Sequence, residues 1–566
     1  MNMLSQNVDL QQRRAALVVA PPIEHAIAQR TSLADALAHA ARVRGDGRLT
    51  CIDSSGRERH WTYRTLYEAA SRAAAGLIRQ GVTPGSHVVL RLADPYEWVL
   101  ALWACFLARA VAIPTYALEP LPADASGGQR LAGALQVLAP TALLVSTAEQ
   151  TRATALKDEH GWPQLLVLTP DALLAEDGAD GVSTAVASQA TPPDPDRLAV
   201  IFPTSGSSGT PKPATQTESA LLGMCAGSAQ MNAFNERDVF MNWMPMDHVG
   251  AVVFLCVLPV CVAADQVLVA YPYVRADLFR WLDLMARWRT SVGWVPNHVF
   301  NQVAKRLEHE APRAWDLSAL RFLVNAGESI SPGFVRQFAE QLQGCGLRAD
   351  AVRPAFGMSE TCSGITWAQG LQVAGDRFVD LGAPIPGAAM RVVGPDNEVL
   401  AEGEVGRLHL RGPSVTRSYF RLVRDDVFLP DGWFDTGDSA FIRDGHLYLT
   451  DREGDAVAGL PIHGYELEEA IERLEGVLGG HTAVCDGKGE EGPVVVVFYC
   501  ADPDHPNPEL TAHIDATLRR LAPETPIIAT AVAPHQLPRT SIGKIQRKVL
   551  RRQVERVAQQ AAQRRT

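Results

Sequence analysis

Phe202-Pro203-Thr204-Ser205-Gly206-Ser207-Ser208-Gly209-Thr210-Pro211-Lys212 is the stretch of this chain that says most about its fold and chemistry. An apolar segment read as a strand, Leu198 to Pro203, runs directly into glycines and small hydroxyl residues and then a lysine. Glycines let backbone N–H groups approach an anion closely, hydroxyls donate further hydrogen bonds, and Lys212 supplies charge. A polyphosphate requires that combination. The spacing is not the Walker pattern, which ends in Gly-Lys-Ser/Thr. Alone, a Ser/Gly/Thr run also suits a flexible linker; the strand before it and the Pro-Lys after it favour a phosphate loop.

Upstream, from Ser32 to about Val200, helical and strand-like stretches alternate, which predicts parallel sheets covered by helices. Leu66 to Gln80 places Leu66, Ala69, Ala70, Ala73, Ala74 and Leu77 on one helical face, and His87 to Leu92, Ala142 to Ser146 and Leu165 to Thr169 read as short strands. The most apolar window, Trp98 to Leu118, is broken by Arg109 and Pro114 and so reads as a buried helix entering a strand, not a membrane span. Asp177 to Asp196 reads as a loop. Downstream, a second α/β region extends to about Met390, and Met390 to Tyr448 reads as a β-rich subdomain of short strands between Gly, Pro and Asp turns. A separate small module follows Asp451, with a helix near Tyr465 to Leu474, a strand Pro493 to Tyr499, a helix near Leu510 to Leu521 and a basic tail helix from Lys548. No internal repeat is evident.

Composition narrows the function. The 566 residues exceed one ordinary core, and 47% hydrophobic with 20% charged residues fits a soluble globular protein. A formal net charge of -11 argues against nucleic acid as the main partner. The nine cysteines form no CxxC pair, so neither a zinc site nor a disulfide framework is expected. With no basic-then-apolar leader, a cytoplasmic enzyme without membrane insertion is the expectation.

Further motifs follow the loop in order: Met244-Pro245-Met246-Asp247-His248-Val249-Gly250, Trp294-Val295-Pro296-Asn297, Asn325-Ala326-Gly327-Glu328, Ala355-Phe356-Gly357-Met358-Ser359-Glu360-Thr361, Trp433-Phe434-Asp435-Thr436-Gly437-Asp438, Asp451-Arg452-Glu453-Gly454-Asp455, and Leu537-Pro538-Arg539-Thr540-Ser541-Ile542-Gly543-Lys544-Ile545-Gln546-Arg547. Each alone is unspecific. Together, from about Leu33 to Val549, they resemble the adenylate-forming superfamily of acyl-CoA synthetases, fatty acyl-AMP ligases and peptide-synthetase adenylation domains. The nearest likeness is to acyl-AMP ligases that load polyketide and nonribosomal peptide assembly lines.

That resemblance implies an α/β fold: a large N-terminal domain (residues 1–450) of two α/β subdomains plus the β-rich subdomain at about 390–450, a hinge at 451–455, and a mobile C-terminal α+β lid (456–566). It implies that Thr204, Ser205, Gly206, Ser207, Ser208, Gly209, Thr210 and Lys212 cradle the ATP phosphates. Ala326, Gly327 and Glu328 would lie along adenine, Phe356 would stack on it, and Gly357, Met358 and Ser359 would complete the nucleotide site. Glu360 would hold Mg2+, with Thr204 as a further ligand; Asp438 would bind the ribose hydroxyls, and Arg452 ribose or phosphate. Lys544 would be the mobile catalytic lysine, His248 a residue of the acyl pocket beside Trp243, Met244, Gly250, Asn297, Asn325 and Met358, and Gly454 the hinge. The implied reaction is ATP- and Mg2+-dependent conversion of a small carboxylic acid to acyl-AMP. Acyl transfer to the phosphopantetheine thiol of a separate carrier protein would follow. Transfer to free CoA is the alternative, and a catalytically inactive nucleotide-binding homologue is the second. The segment Ala458 to Tyr465 is compressed relative to the family's thiol-tunnel loop, and Ile365 to Leu381 lacks the insertion usual in fatty acyl-AMP ligases.

Overall fold

The computed structural model describes residues 14–115, 117, 129–175, 194, 196–204, 212–374, 377–452, 457, 460, 462–489, 492–554 and 557. Its α/β architecture has a large N-terminal domain built on two mainly parallel sheets and one antiparallel sheet, and a smaller C-terminal domain. The predicted Leu66–Gln80 helix spans Tyr63–Arg79, opened by a reciprocal capping box between Thr62 and Thr65. Its face of Leu66, Ala69, Ala70, Ala73, Ala74 and Leu77 is buried. The apolar window resolves into the helix Pro95–Leu107, capped by Asp94 with Pro95 in its first turn, and the strand Val111–Pro114.

In the six-stranded sheet the order is Leu166–Leu168, Ala142–Val145, His87–Arg91, Val111–Pro114, Leu198–Thr204 and Lys212–Thr217. All neighbours are parallel except the last pair, an antiparallel hairpin that sets Thr204 opposite Lys212. Residues 205–211, the predicted loop that joins these two strands, lie outside the described residues. The expected Asp177–Asp196 loop also falls almost wholly outside them.

The nine-stranded sheet carries six parallel strands at its centre: Val352–Met358, Phe322–Asn325, Val292–Val295, Val239–Asn242, Asp265–Val269 and Arg48–Ile52. Short apolar strands buried on both faces are what such a sheet demands. Two of its strands, Arg48–Ile52 and Glu58–Thr62, come from the region assigned in sequence to the first α/β unit. The β-rich subdomain is a five-stranded antiparallel sheet from Ala389 to Arg452, and its outer strand, Leu17–Val19, comes from near the start of the chain. Alternation of residue types does not reveal such long-range pairings.

The C-terminal domain pairs Val477–Gly489, Gly492–Ala501 and Ile527–Ala531 in one sheet. The helices Gly464–Glu472 and Leu510–Leu521 cover it through Leu467, Ile471, Ile514 and Leu518. Its last described segment is helical over residues 547–554.

Candidate functional site

A cleft of about 1170 Å³ opens where the two domains meet. Gly327, Glu328, Phe356, Gly357, Met358, Asp438 and Lys544 line it together. Four segments spread over more than 200 residues of sequence thus converge on one space. A smaller void of about 360 Å³ adjoins it and shares Gly327, Ala355 and Gly357. Its other walls include His248, Gly250, Phe254, Trp294, Ala326 and Trp367.

The strand Val352–Met358 delivers Phe356, Gly357 and Met358 to the cleft. Gly357 is there because nothing larger fits: a Cβ on it would lie 1.9 Å from the Ser363 carbonyl oxygen. Glu360 follows in a single 3₁₀ turn, Ser359–Thr361, and is buried. The Tyr419 hydroxyl donates to its Oε1 at 2.7 Å, and the Thr416 amide donates to its backbone carbonyl at 2.7 Å. Gln216 donates to the Ser359 carbonyl, and the Cys362 thiol donates to the Gln216 Oε1 at 2.9 Å. Phe420 N–H donates to Pro213 O at 2.8 Å, so one short loop bridges Glu360 and the strand that leaves the phosphate loop. Tyr419 and Gln216 escaped the sequence reading because a buried tyrosine in a polar loop carries no motif.

Among the described residues no three His, Cys, Asp or Glu side chains cluster as metal ligands. The buried Glu360 carboxylate, whose second oxygen accepts no hydrogen bond among the described residues, is nevertheless a fitting donor for Mg2+, which keeps waters and takes its remaining ligands from substrate phosphates.

Asp438 is 3% exposed and sits in the strand Phe434–Arg443, opposite Arg452 in the next strand. The Thr436 hydroxyl accepts from its amide at 3.0 Å. Lys544 stands on a tight turn: Thr540 N–H donates to Lys544 O at 2.8 Å, and Gly543 adopts φ +87°. Such a φ favours glycine. His248 stacks on Trp294 with ring centroids 4.8 Å apart and accepts the Gly250 amide at its Nδ1, 3.1 Å away. Burial, reinforced by the Lys544 charge, lowers the His248 pKa to about 4, so the ring is neutral near pH 7. Burial pushes Glu328 upward, but contacts with His298 and the Lys544 charge outweigh it and hold the group at about 2. His298 meets it twice, through its backbone amide at 2.6 Å and its Nδ1 at 2.9 Å.

Four residues assigned from sequence to the acyl pocket do not line either void. Trp243 is 1% exposed and stacks on Tyr271 at 5.7 Å, and Met244 is 2% exposed in the same core. Asn297 and Asn325 bond to each other at 3.1 Å, and Asn297 also accepts the Ser331 amide at 3.1 Å. Their amides tie strand ends together because buried backbone groups need partners. Met358 lines the nucleotide cleft, not the smaller void. Ser205 to Thr210 and Gly454 lie outside the described residues; only the backbone of Thr204 and Arg452 is described.

The profile of the AMP-binding enzyme family matches residues 37–420. The chain is 29% identical to "Aspulvinone E synthetase melA" of Aspergillus terreus over 91% of its own length. It spans only 57% of that relative, so about half the length of the curated relatives it matches. "Atromentin synthetase invA5" of Paxillus involutus is 28% identical, with 91% of this chain and 56% of that one covered. Among solved structures, McyG A-PCP complexed with phenylalanyl-adenylate superposes with a TM-score of 0.86 at 31% identity, covering 97% of this chain and 88% of that one. The match of sequence, fold and converging residues places the chain in the AMP-binding, adenylate-forming enzyme superfamily.

Proposed function

We propose that this protein activates an aromatic carboxylic acid lacking an α-ammonium group to its acyl-adenylate, with release of pyrophosphate, and passes the acyl group to the phosphopantetheine thiol of a carrier protein. The observation that carries the substrate class is the small void. Phe254, Trp294, Trp367 and His248 wall it, glycines close it, and no acidic side chain is among its lining residues. An α-ammonium group buried there would have no counter-charge, and an unpaired buried charge is strongly disfavoured. Flat rings and a neutral imidazole suit an aryl acid. A neighbour described as an adenylation, ketoreductase and pseudo Asub multidomain structure of a keto acid-selecting NRPS module supports the same class. It matches at 27% identity and a TM-score of 0.85, over 97% of this chain and 48% of that one.

In the reaction a carboxylate oxygen bonds to the α-phosphorus as the bond to pyrophosphate breaks. The protein's part is positioning and charge stabilisation. Phe356 and Gly327 frame the base, Asp438 accepts from ribose hydroxyls, and the Lys544 ammonium offsets charge at the α-phosphate. His248 and Trp294 orient the acid. Glu360, steadied by Tyr419, would hold Mg2+, which neutralises phosphate charge when bound. The hinge expected at residues 451–455, around Gly454, would let the C-terminal domain turn away before thiol attack.

Acid-dependent exchange of labelled pyrophosphate into ATP tests this reading. Exchange with arylpyruvic or other aryl acids at ten times or more the rate with the matching α-amino acids is expected; exchange only with amino acids would refute it. Thioester formation on a holo-carrier, compared with free CoA, tests the acceptor. The carrier-bearing neighbour in the A-PCP structure supports the carrier.

A further inference from the structure

The helix Asn297–Arg306 does more than cover the nine-stranded sheet. Three glycines of the C-terminal domain press on one of its faces. A Cβ on Gly479 would lie 3.0 Å from Asn301 O and 2.9 Å from Lys305 Cγ. One on Gly480 would lie 3.0 Å from His298 O, and one on Gly543 would lie 2.6 Å from His298 Nε2. Gly480 and Gly543 also hold positive φ, at +68° and +87°, which favours glycine, whereas at Gly479 the nearest atom belongs to the flexible Lys305 side chain, so a small side chain can be seated there once Lys305 is shortened.

Polar bonds fasten the contact. Asn301 Nδ2 donates to Glu472 Oε2 at 3.0 Å across the interface. The same carboxylate accepts the amides of Gly480 and Thr482 at 2.9 and 3.0 Å. Arg539 then links this corner to the catalytic turn: Nη2 donates to Gly480 O at 2.6 Å and Nη1 to Gly543 O at 2.5 Å. Gly543 precedes Lys544. On the other side His298 is pinned by Glu328, a wall of the nucleotide cleft. One chain of contacts therefore runs from the helix through Glu472, Gly480 and Arg539 to the lysine.

We infer that the Asn297–Arg306 helix is the seat that holds the C-terminal domain while Lys544 faces the nucleotide, with Asn301, Glu472 and Arg539 as positioning residues. This rests on the adenylation reading above. None of the three lines the cleft or the void; they act through the placement of Lys544.

The full chain carrying Lys305→Cys and Gly479→Cys tests the seat. A Cβ built on Gly479 lies 3.2 Å from Lys305 Cβ, a few tenths of an ångström inside the ~3.5–4.5 Å a disulfide spans, and Lys305→Cys removes the Cγ that this Cβ would otherwise meet. Under oxidised glutathione this pair is expected to cross-link, read by mass spectrometry against wild type, whose cysteines are all buried except the half-buried Cys345. The cross-linked protein should keep pyrophosphate exchange within about threefold of the reduced form. It should form thioester at least tenfold more slowly, and dithiothreitol should restore the rate. Absence of the cross-link, or equal thioester rates in both forms, would overturn the inference. Arg539→Lys keeps the charge and loses the double bond to Gly480 and Gly543. It should slow exchange at least tenfold while transfer from supplied acyl-adenylate stays within twofold, and equal loss of both would overturn the positioning role. The cross-link is read by mass alone, so it stands apart from any failure of wild type to exchange pyrophosphate, which would strike the adenylation reading instead.

Discussion

At the scale of single residues the proposed reaction depends on charges placed where pyrophosphate departs. Lys544→Ala removes the cation that faces Glu328 and His248. Loss of one preorganised contact of this kind costs about 3–4 kcal/mol, so pyrophosphate exchange should fall by a factor on the order of 10²–10³. Thiol transfer from supplied acyl-adenylate should persist; parallel loss of both half-reactions would contradict the assignment. Tyr419→Phe deletes the side-chain donor that Glu360 has among the described residues and leaves that carboxylate buried and less constrained. We expect the half-saturating magnesium concentration to rise severalfold with little change in folding stability. A magnesium titration of exchange rate checks it, and an unchanged midpoint would assign Tyr419 a packing role. Lys544, Glu360 and Asp438 were legible in sequence because their neighbours form ordered motifs. Tyr419, Gln216 and Arg539 were not assigned, because their roles come from partners that sequence distance conceals.

Elements set the shape of the site. The strands Val352–Met358 and Ser363–Trp367 approach so closely that Gly357 cannot carry a side chain, since a Cβ on it would lie 1.9 Å from Ser363 O, and Gly364 is kept bare by the Trp367 ring of its own strand, 2.3 Å from where its Cβ would be. Ser363 and Cys362 hold positive φ at the turn between these strands, at 127° and 57°. Gly357→Ala should force the pair apart at a cost of about 3 kcal/mol, seen as a lower chemical-denaturation midpoint and a raised KM for ATP. A midpoint equal to wild type would show that the strands yield freely. Helix and strand existence was readable from periodicity at Tyr63–Arg79, Pro95–Leu107 and Leu510–Leu521, with ends within a few residues. The tryptophan count did not reveal which rings face substrate. Trp294 and Trp367 line the void and Trp243 lies in the core, because facing depends on which strands are neighbours.

For the whole molecule, domain closure is linked to protons. Burial, opposed by the Gly480, Asn301 and Thr482 donors and reinforced by Glu468, raises Glu472 to about 7. Around it stand Glu468 on its own helix, Arg539 and His481 of the C-terminal domain, and His298 and Lys305 on the facing helix. Asp247, half-buried, is likewise raised by desolvation to about 6, offset in part by a hydrogen bond from Ser541 of the C-terminal domain. Separation of the domains returns both carboxyls toward water and their ordinary range. The closed form therefore binds protons more tightly. Closure is favoured below the ordinary carboxylate range and progressively disfavoured as pH rises through about 6 to 7, beyond which the penalty is constant. The fraction of the Lys305→Cys, Gly479→Cys pair that cross-links at short times should fall severalfold from pH 5.5 to 7.5, after correction for thiol reactivity with an exposed control pair. Glu472→Gln should flatten most of that dependence; an unaltered profile would remove Glu472 from the linkage.

What the sequence determined alone was local: the order of the motifs, the α/β alternation and the change to a β-rich and then a smaller α/β unit. Those features depend on side chains close along the chain, where periodicity and turn chemistry act. Tertiary structure alone decided which distant pieces share a sheet, which aromatic rings bound the void, and how Asn301, Glu472 and Arg539 join to place Lys544. These depend on contacts between residues up to several hundred positions apart, and their geometry follows from the packing of whole domains, in which Gly479, Gly480 and Gly543 lie so near a helix already formed that an added Cβ would meet it within about 3 Å.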